Sequence, residues 1–107
     1  AVAQAAAVAA LGDEAWMREA VSRIRVERDR VAAALGAMGL RVARSEGNFL
    51  FFDSGRDSAE LAIDLLRAGV VVKPWLEPSY RTFVRASIGT AAENDQLLPA
   101  LSAILQA

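Results

Sequence analysis

Cysteine and histidine are both absent from this 107-residue sequence. Their absence excludes disulfides, the usual zinc sites and every histidine-based triad, and it permits a reducing compartment. Lysine occurs once, as Lys73, among 12 basic residues. The acids number 13 and the formal net charge is −1, which gives no electrostatic attraction to nucleic acid or to an anionic membrane. Neither is expected as a partner. A glycine-rich phosphate loop is missing too: Gly36-Ala37-Met38-Gly39 reads as a helix stop, not a nucleotide motif. There is no internal repeat, low-complexity tail or linker. The opening AVAQAAAVAAL lacks a basic n-region, and alanine drives membrane insertion poorly, so it is not read as a targeting peptide. With no initiator methionine, the chain is expected to start midway through a longer protein, at a helix.

What is present describes one small domain. Apolar residues make up 54% and charged residues 23%, a globular balance. Residues 2–11 are alanine-rich and helix-forming. Gly12-Asp13 is predicted to break that run, with Asp13 capping a second helix over roughly 13–37. Its apolar stripe is Met17, Val21, Ile24, Val31, Leu35 and Met38. Arg28 interrupts the stripe, as a partner-facing or a snorkelling side chain. Gly39 supplies a left-handed stop. A short strand follows around Leu40 and Val42, reaching toward Ser45, with a turn at Ser45-Glu46-Gly47. Asn48 leads into Phe49-Leu50-Phe51-Phe52, apolar on both faces and therefore a central strand.

Asp57-Ser58-Ala59-Glu60 forms a capping box with an acid in the first position. The helix it opens runs to about Ala68, with Leu61, Leu65 and Leu66 inward and Gly69 as the stop. Strands are then predicted over Val70–Lys73 and Phe83–Ile88. Thr90-Ala91-Ala92-Glu93 caps a last helix that buries Leu97, Leu98, Leu101, Ile104 and Leu105, with Pro99 kinking or delaying it. The order of helix, two strands, helix, two strands, helix predicts an α+β fold. Its sheet is small and mostly antiparallel, of three or four strands, with helices packed on one face.

The stretch Gly69–Thr90 carries the functional signal. Two strands with a cation on each, joined by a loop holding Pro74 and Pro78, suit the wall of an anion-binding cleft. Arg85 sits between Val84 and Ala86, and its planar fork matches a carboxylate or phosphate bidentately. Two other roles are open to it: a structural ion pair with Glu77 or Asp53, or exposure on the open sheet face. Lys73 ends an apolar strand, and is open to a Schiff base, a phosphate contact or a plain surface charge. Trp75 and Tyr80 either line a pocket or pack the loop. Asn48 either bonds a ligand or serves the turn. Asp53 and Asp57 fit a loop and a helix cap better than an acid/base pair.

The ordered set Ser45-x-x-Asn48-Phe49, Ala68-Gly69-Val70 with a cation at 73, Val84-Arg85-Ala86-Ser87-Ile88-Gly89-Thr90 and Glu93-Asn94 resembles the C-terminal part of histidinol-phosphate aminotransferases. These are fold-type I enzymes dependent on pyridoxal phosphate. Ala3-Gln4-x-Ala6-Ala7 and Glu27-Arg28 fit as well, so the resemblance runs from about residue 2 to 105. It implies that residues 1–12 continue from a missing larger domain, and that 13–107 form the small C-terminal domain. The implied full protein is a cytoplasmic homodimer. It moves an amino group between glutamate/2-oxoglutarate and histidinol phosphate/imidazole acetol phosphate, in histidine biosynthesis. Arg85 matches the arginine that pairs with the substrate's anionic group. Lys73 matches a position where many members carry arginine toward the substrate phosphate, and Asn48 matches an asparagine near the cleft. The family's cofactor lysine and cofactor-phosphate residues lie upstream of this part, so no residue here is expected to be catalytic, to hold pyridoxal phosphate or to bind metal. This chain alone is expected to be inactive. Two alternatives stand beside this reading: the same domain from an aromatic amino-acid aminotransferase, and a stand-alone regulatory module that binds a small anion.

Overall fold

Period-two alternation in two five-residue strands builds the centre of the molecule. The computed structural model describes the backbone of residues 2–43 and 47–106, with side chains described from residue 13 onward. Its elements are α1 (Val2–Ala37), β1 (Arg41–Val42), β2 (Phe49–Asp53), α2 (Ser58–Arg67), β3 (Lys73–Pro74), a 3-10 turn (Pro78–Tyr80), β4 (Phe83–Ser87) and α3 (Ala91–Gln106). The four strands form one antiparallel sheet in the order β1-β2-β4-β3. In the β2–β4 ladder Leu50 faces Ala86 and Phe52 faces Val84, and all four side chains are buried. Against them pack Val31 and Leu35 from α1, Leu61 and Leu65 from α2, and Leu97 and Leu101 from α3. The helices therefore share one face. The expected α+β architecture is the one observed, with β2 central as its two-sided apolar run requires.

Both glycine stops form. Leu40 N–H bonds the Leu35 carbonyl at 3.1 Å and Gly39 N–H the Gly36 carbonyl at 3.0 Å. Val70 bonds Leu65 at 2.8 Å and Gly69 bonds Leu66 at 2.9 Å in the same way. These are Schellman closures, and they put Gly39 and Gly69 at φ +85°, where a side chain is strained. Asp57 caps α2 by accepting from Glu60 N–H. Thr90 and Glu93 cap α3 reciprocally, at 3.0 and 3.2 Å.

Four expectations fail. Gly12-Asp13 does not break the first helix, which runs unbroken for 36 residues. One interior glycine costs only about 1 kcal/mol relative to alanine, and strong helix formers flank it on both sides. Met17 and Val21 are exposed, at 58% and 54%, so the stripe is buried in this chain only from Ile24 onward. Leu66 is exposed at 61%; α2 turns just Leu61 and Leu65 fully inward. The third strand is shorter than predicted: Val70 N–H is already used to close α2, and pairing begins at Lys73. Pro74 is tolerated there because β3 is an edge strand. α3 continues through Pro99. The Ser45-Glu46-Gly47 turn and the reach of the first strand to Ser45 lie in part outside the described residues.

Arg28 proves to be a tie within the domain. Its side chain is 15% exposed, and Nη1 donates to the Gly47 carbonyl at 3.0 Å, anchoring α1 to the approach to β2. The preceding residue, Glu27, accepts two hydrogen bonds from Arg30, at 2.9 and 2.8 Å, and one from the buried Asn94 at 3.0 Å. Asn94 also accepts from Gly89 N–H and donates to the Gly89 carbonyl. Arg30 reaches Asp95 at 2.9 Å. This network joins α1 to the start of α3.

Two outcomes follow from this packing. Phe52→Ala, at a site with no solvent exposure, should cost about 3–5 kcal/mol in urea unfolding; a loss below about 1 kcal/mol would mean that Phe52 is not part of a closed core. Arg30 first, then Asn94, hold the Glu27 carboxyl at about 2, down from its ordinary 4.5. A depressed carboxyl stabilises the fold fully above its unfolded value, and that stability is lost as pH falls from about 4.5 toward 2. Acid unfolding followed by circular dichroism should therefore be less steep over that range in Glu27→Gln. Asp53, Asp57 and Glu93 are lowered as well and leave a residual slope. An identical slope in the variant would remove Glu27 from the linkage.

Candidate anion-binding face

The side chains opposite the core make the site. β4 turns Val84 and Ala86 into the core, which leaves Phe83, Arg85 and Ser87 on the open face. Phe49 and Phe51 of β2 join them through the ladder, with Phe49 opposite Ser87 and Phe51 opposite Arg85. On the other side β3 sets Lys73 directly opposite Arg85. One row across the sheet thus reads Phe51, Arg85, Lys73. The two cations predicted as a pair are nearest cross-strand neighbours. Like charges in that relation repel, and an anion shared between them removes the repulsion.

Arg85 is half-buried and makes no ion pair or side-chain hydrogen bond with the described residues. The proposed internal partners Glu77 and Asp53 do not hold it. Its guanidinium carbon stands 5.2 Å from the Phe49 ring centroid. Lys73 is exposed, with Nζ 5.6 Å from the Trp75 centroid. Asn48 is exposed, and its carbonyl accepts from Ile88 N–H at 2.6 Å. Three residues of ladder separate that point from Arg85, about 10 Å along the strand. Asn48 therefore lies beyond the end of the β2–β4 ladder, outside the cation row, at a position whose parity matches Leu50 and Phe52 and not Phe51 and Arg85.

Next to the cations the face is aromatic. Phe51 stacks on Phe83 at 4.8 Å, meets Trp75 edge-on at 5.1 Å and lies 6.0 Å from Tyr80. Tyr80 and Phe83 are 5.3 Å apart. Trp75 and Tyr80 thus do pack the loop, beside the cation row. Phe51 and Phe83 are candidate site residues that reading the strand simply as apolar overlooks. The signal for them is parity: once Val84 and Ala86 point inward, residues 83 and 85 must share the other face.

The loop that carries Trp75 and Tyr80 is tied to α2. The buried Ser58 donates its hydroxyl to the Trp75 carbonyl at 2.6 Å and its N–H to the Arg81 carbonyl at 2.7 Å. Arg81 reaches Asp57 at 3.0 Å. That bond, and then the Glu60 N–H, lower the Asp57 carboxyl below its usual range. Asp53 is lowered too, by Thr82 and then by the Gly55 N–H. Both acids stay ionised and bonded in place, which fits the loop and the cap and not proton transfer. Among the described residues no cluster of acids could hold a metal, and no helix is long and apolar enough to cross a membrane.

Two hollows lined by described residues lie away from the cations. A cavity of about 250 Å³ is bordered by Val70, Ser87, Glu93 and Asn94. A groove of about 750 Å³ runs between α1 and the start of α3, along Ile24, Val26, Ile88 and Thr90. Neither includes Arg85 or Lys73. The cation row lies on an open face, and becomes one wall of a cleft when something stands opposite it.

The model of the aminotransferase class I and II family matches residues 1–101. Histidinol-phosphate aminotransferase 1 of Mesorhizobium japonicum is 47% identical over 104 residues, which cover 97% of this chain and 28% of the relative. The crystal structure of histidinol-phosphate aminotransferase from Sinorhizobium meliloti, in complex with pyridoxal-5'-phosphate, superposes with a TM-score of 0.81. Its identity is 27%, over 95% of this chain and 29% of that one. N-Succinyldiaminopimelate aminotransferase from Mycobacterium tuberculosis gives a TM-score of 0.75 at 30% identity, over 95% and 30%. The chain spans less than a third of the length of each.

Proposed function

Because this chain belongs to the class I and II aminotransferases, we propose that it is the small, C-terminal domain of a pyridoxal-phosphate-dependent aminotransferase, where it supplies the contacts to the substrate's anionic group. The observation that carries this reading is the Lys73–Arg85 register on an uncovered face, with no described acid satisfying Arg85. Arg85 offers a planar fork to a carboxylate or phosphate, and Lys73 adds a second positive charge beside it. Asn48, beyond the end of the ladder, would reach the substrate only from the margin of this site. Holding the anion fixes the rest of the substrate relative to the reacting centre, the orientation that makes proton removal efficient.

The substrate pair we favour is histidinol phosphate with 2-oxoglutarate, in histidine biosynthesis. The name carried by the 47% identical relative supports it. The likeness to the N-succinyldiaminopimelate enzyme is a reminder that the fold is shared across substrates.

The residues present do not fit the cofactor. The chain has one lysine, and it stands exposed on an edge strand against the Trp75 ring. Pyridoxal phosphate supplies the electron sink for amino-group transfer, and this reading places its lysine and its phosphate contacts in the remainder of the protein, a larger domain. This chain alone would be inactive. The working form would be a cytoplasmic homodimer. Trp16, Met17 and Val21, exposed along α1 at 63%, 58% and 54%, support a covering surface outside this chain. A stand-alone module would leave them in water.

In the full-length enzyme, Arg85→Ala should lower kcat/KM about tenfold to hundredfold, the loss of a charge-assisted contact, while the cofactor's visible absorbance persists. Parallel loss of cofactor and activity would make Arg85 structural. Lys73→Ala should reduce the preference for phosphorylated over unphosphorylated amino-acid substrates by about tenfold. An unchanged ratio would remove Lys73 from the phosphate contact.

A further inference from the structure

The two cations are ordered by rings, not by acids. Arg85 has the Phe49 ring at 5.2 Å and Lys73 the Trp75 ring at 5.6 Å. Phe49 is opposite Ser87, so it lies diagonally from Arg85 toward one end of the face. Trp75 N–H bonds the Phe83 carbonyl at 3.0 Å, so it lies two residues past Lys73 toward the other end. Each ring draws its cation away from the other, and each acts through a π face. A ring holds a cation without the ion pair an acid would form, so the charge and its directional donors stay available to a ligand. An acid in the same place would consume them and cancel the charge the site needs.

We infer that Phe49 and Trp75 are positioning residues for the anion site, fixing Arg85 and Lys73 in separated poses, with no described acid paired to either, before any ligand arrives. This rests on the anion-site reading above and adds to it what holds the site open. Phe49 carries the larger share, because it contacts the half-buried Arg85, whose forked donors are directional, whereas an exposed ammonium has no such fork.

The test is equilibrium dialysis of inorganic phosphate against the full-length protein loaded with pyridoxal phosphate, so that the cofactor's own phosphate fills its own place. Phe49→Leu keeps the bulk and removes the π face. It should weaken phosphate binding about twofold to fivefold and raise KM for the phosphorylated substrate by a similar factor with kcat unchanged. Phe49→Trp should restore both. Urea midpoints confirm that each variant is folded; should Phe49→Leu fail to fold, Phe49→Met with the same dialysis takes its place. Unchanged phosphate affinity in the leucine variant, alongside clear loss in Arg85→Ala, would overturn the positioning role and leave the anion site standing. Unchanged affinity in Arg85→Ala itself would instead overturn the anion site and this inference with it.

Discussion

The pairing of Phe49–Asp53 with Phe83–Ser87 is the constraint on which the rest of this molecule depends. It is the longest ladder in the sheet. Its alternation commits Leu50, Phe52, Val84 and Ala86 to the helices and Phe49, Phe51, Phe83 and Arg85 to the other side. A slip of one residue would exchange the two sets. Phe52 would then face water, and Arg85 would be buried without a partner. The apolar side fixes the register, and the register fixes where the charge goes.

The face so made is unusual in what it leaves unmatched. Elsewhere the described arginines mostly find acids or carbonyls: Arg30 with Glu27 and Asp95, Arg81 with Asp57, Arg28 with Gly47, Arg56 with the Leu105 carbonyl. Those bonds bind helix to helix and loop to helix. Arg85 and Lys73 have rings instead. The division separates charges that hold the fold from two that no described acid satisfies. The Ser58 bonds to the 75–81 loop matter for the same reason, because they keep Trp75 and Tyr80 beside the cation row.

Much of the fold was legible in the sequence because its signals are local. The two Schellman stops, the two side-chain caps and the two-sided apolar run are decided within a few residues. The failures have a common cause. Gly12-Asp13, Met17, Val21 and Leu66 were read by local propensity or periodicity, but continuity and burial depend on what lies alongside. In the site, Arg85 and Lys73 stood out by type and spacing. Trp75 stood out as well, as a pocket or a loop residue; Phe49, Phe51 and Phe83 did not stand out as ring partners, because an aromatic residue in an apolar run looks the same whichever face it takes.

The sequence by itself determined the alternation of helices and paired strands, the glycine stops and side-chain caps, the absence of thiol and imidazole chemistry, and a cation at the end of one strand with another in the middle of the next. Those follow from residue type and from spacing along one chain. Only the tertiary structure decided that the cations are directly opposed, that no described acid answers Arg85, and that Phe49 stands against Arg85 and Trp75 against Lys73. Cross-strand neighbours are set by ladder register, and register is fixed by how the opposite face packs against three helices far apart in the sequence.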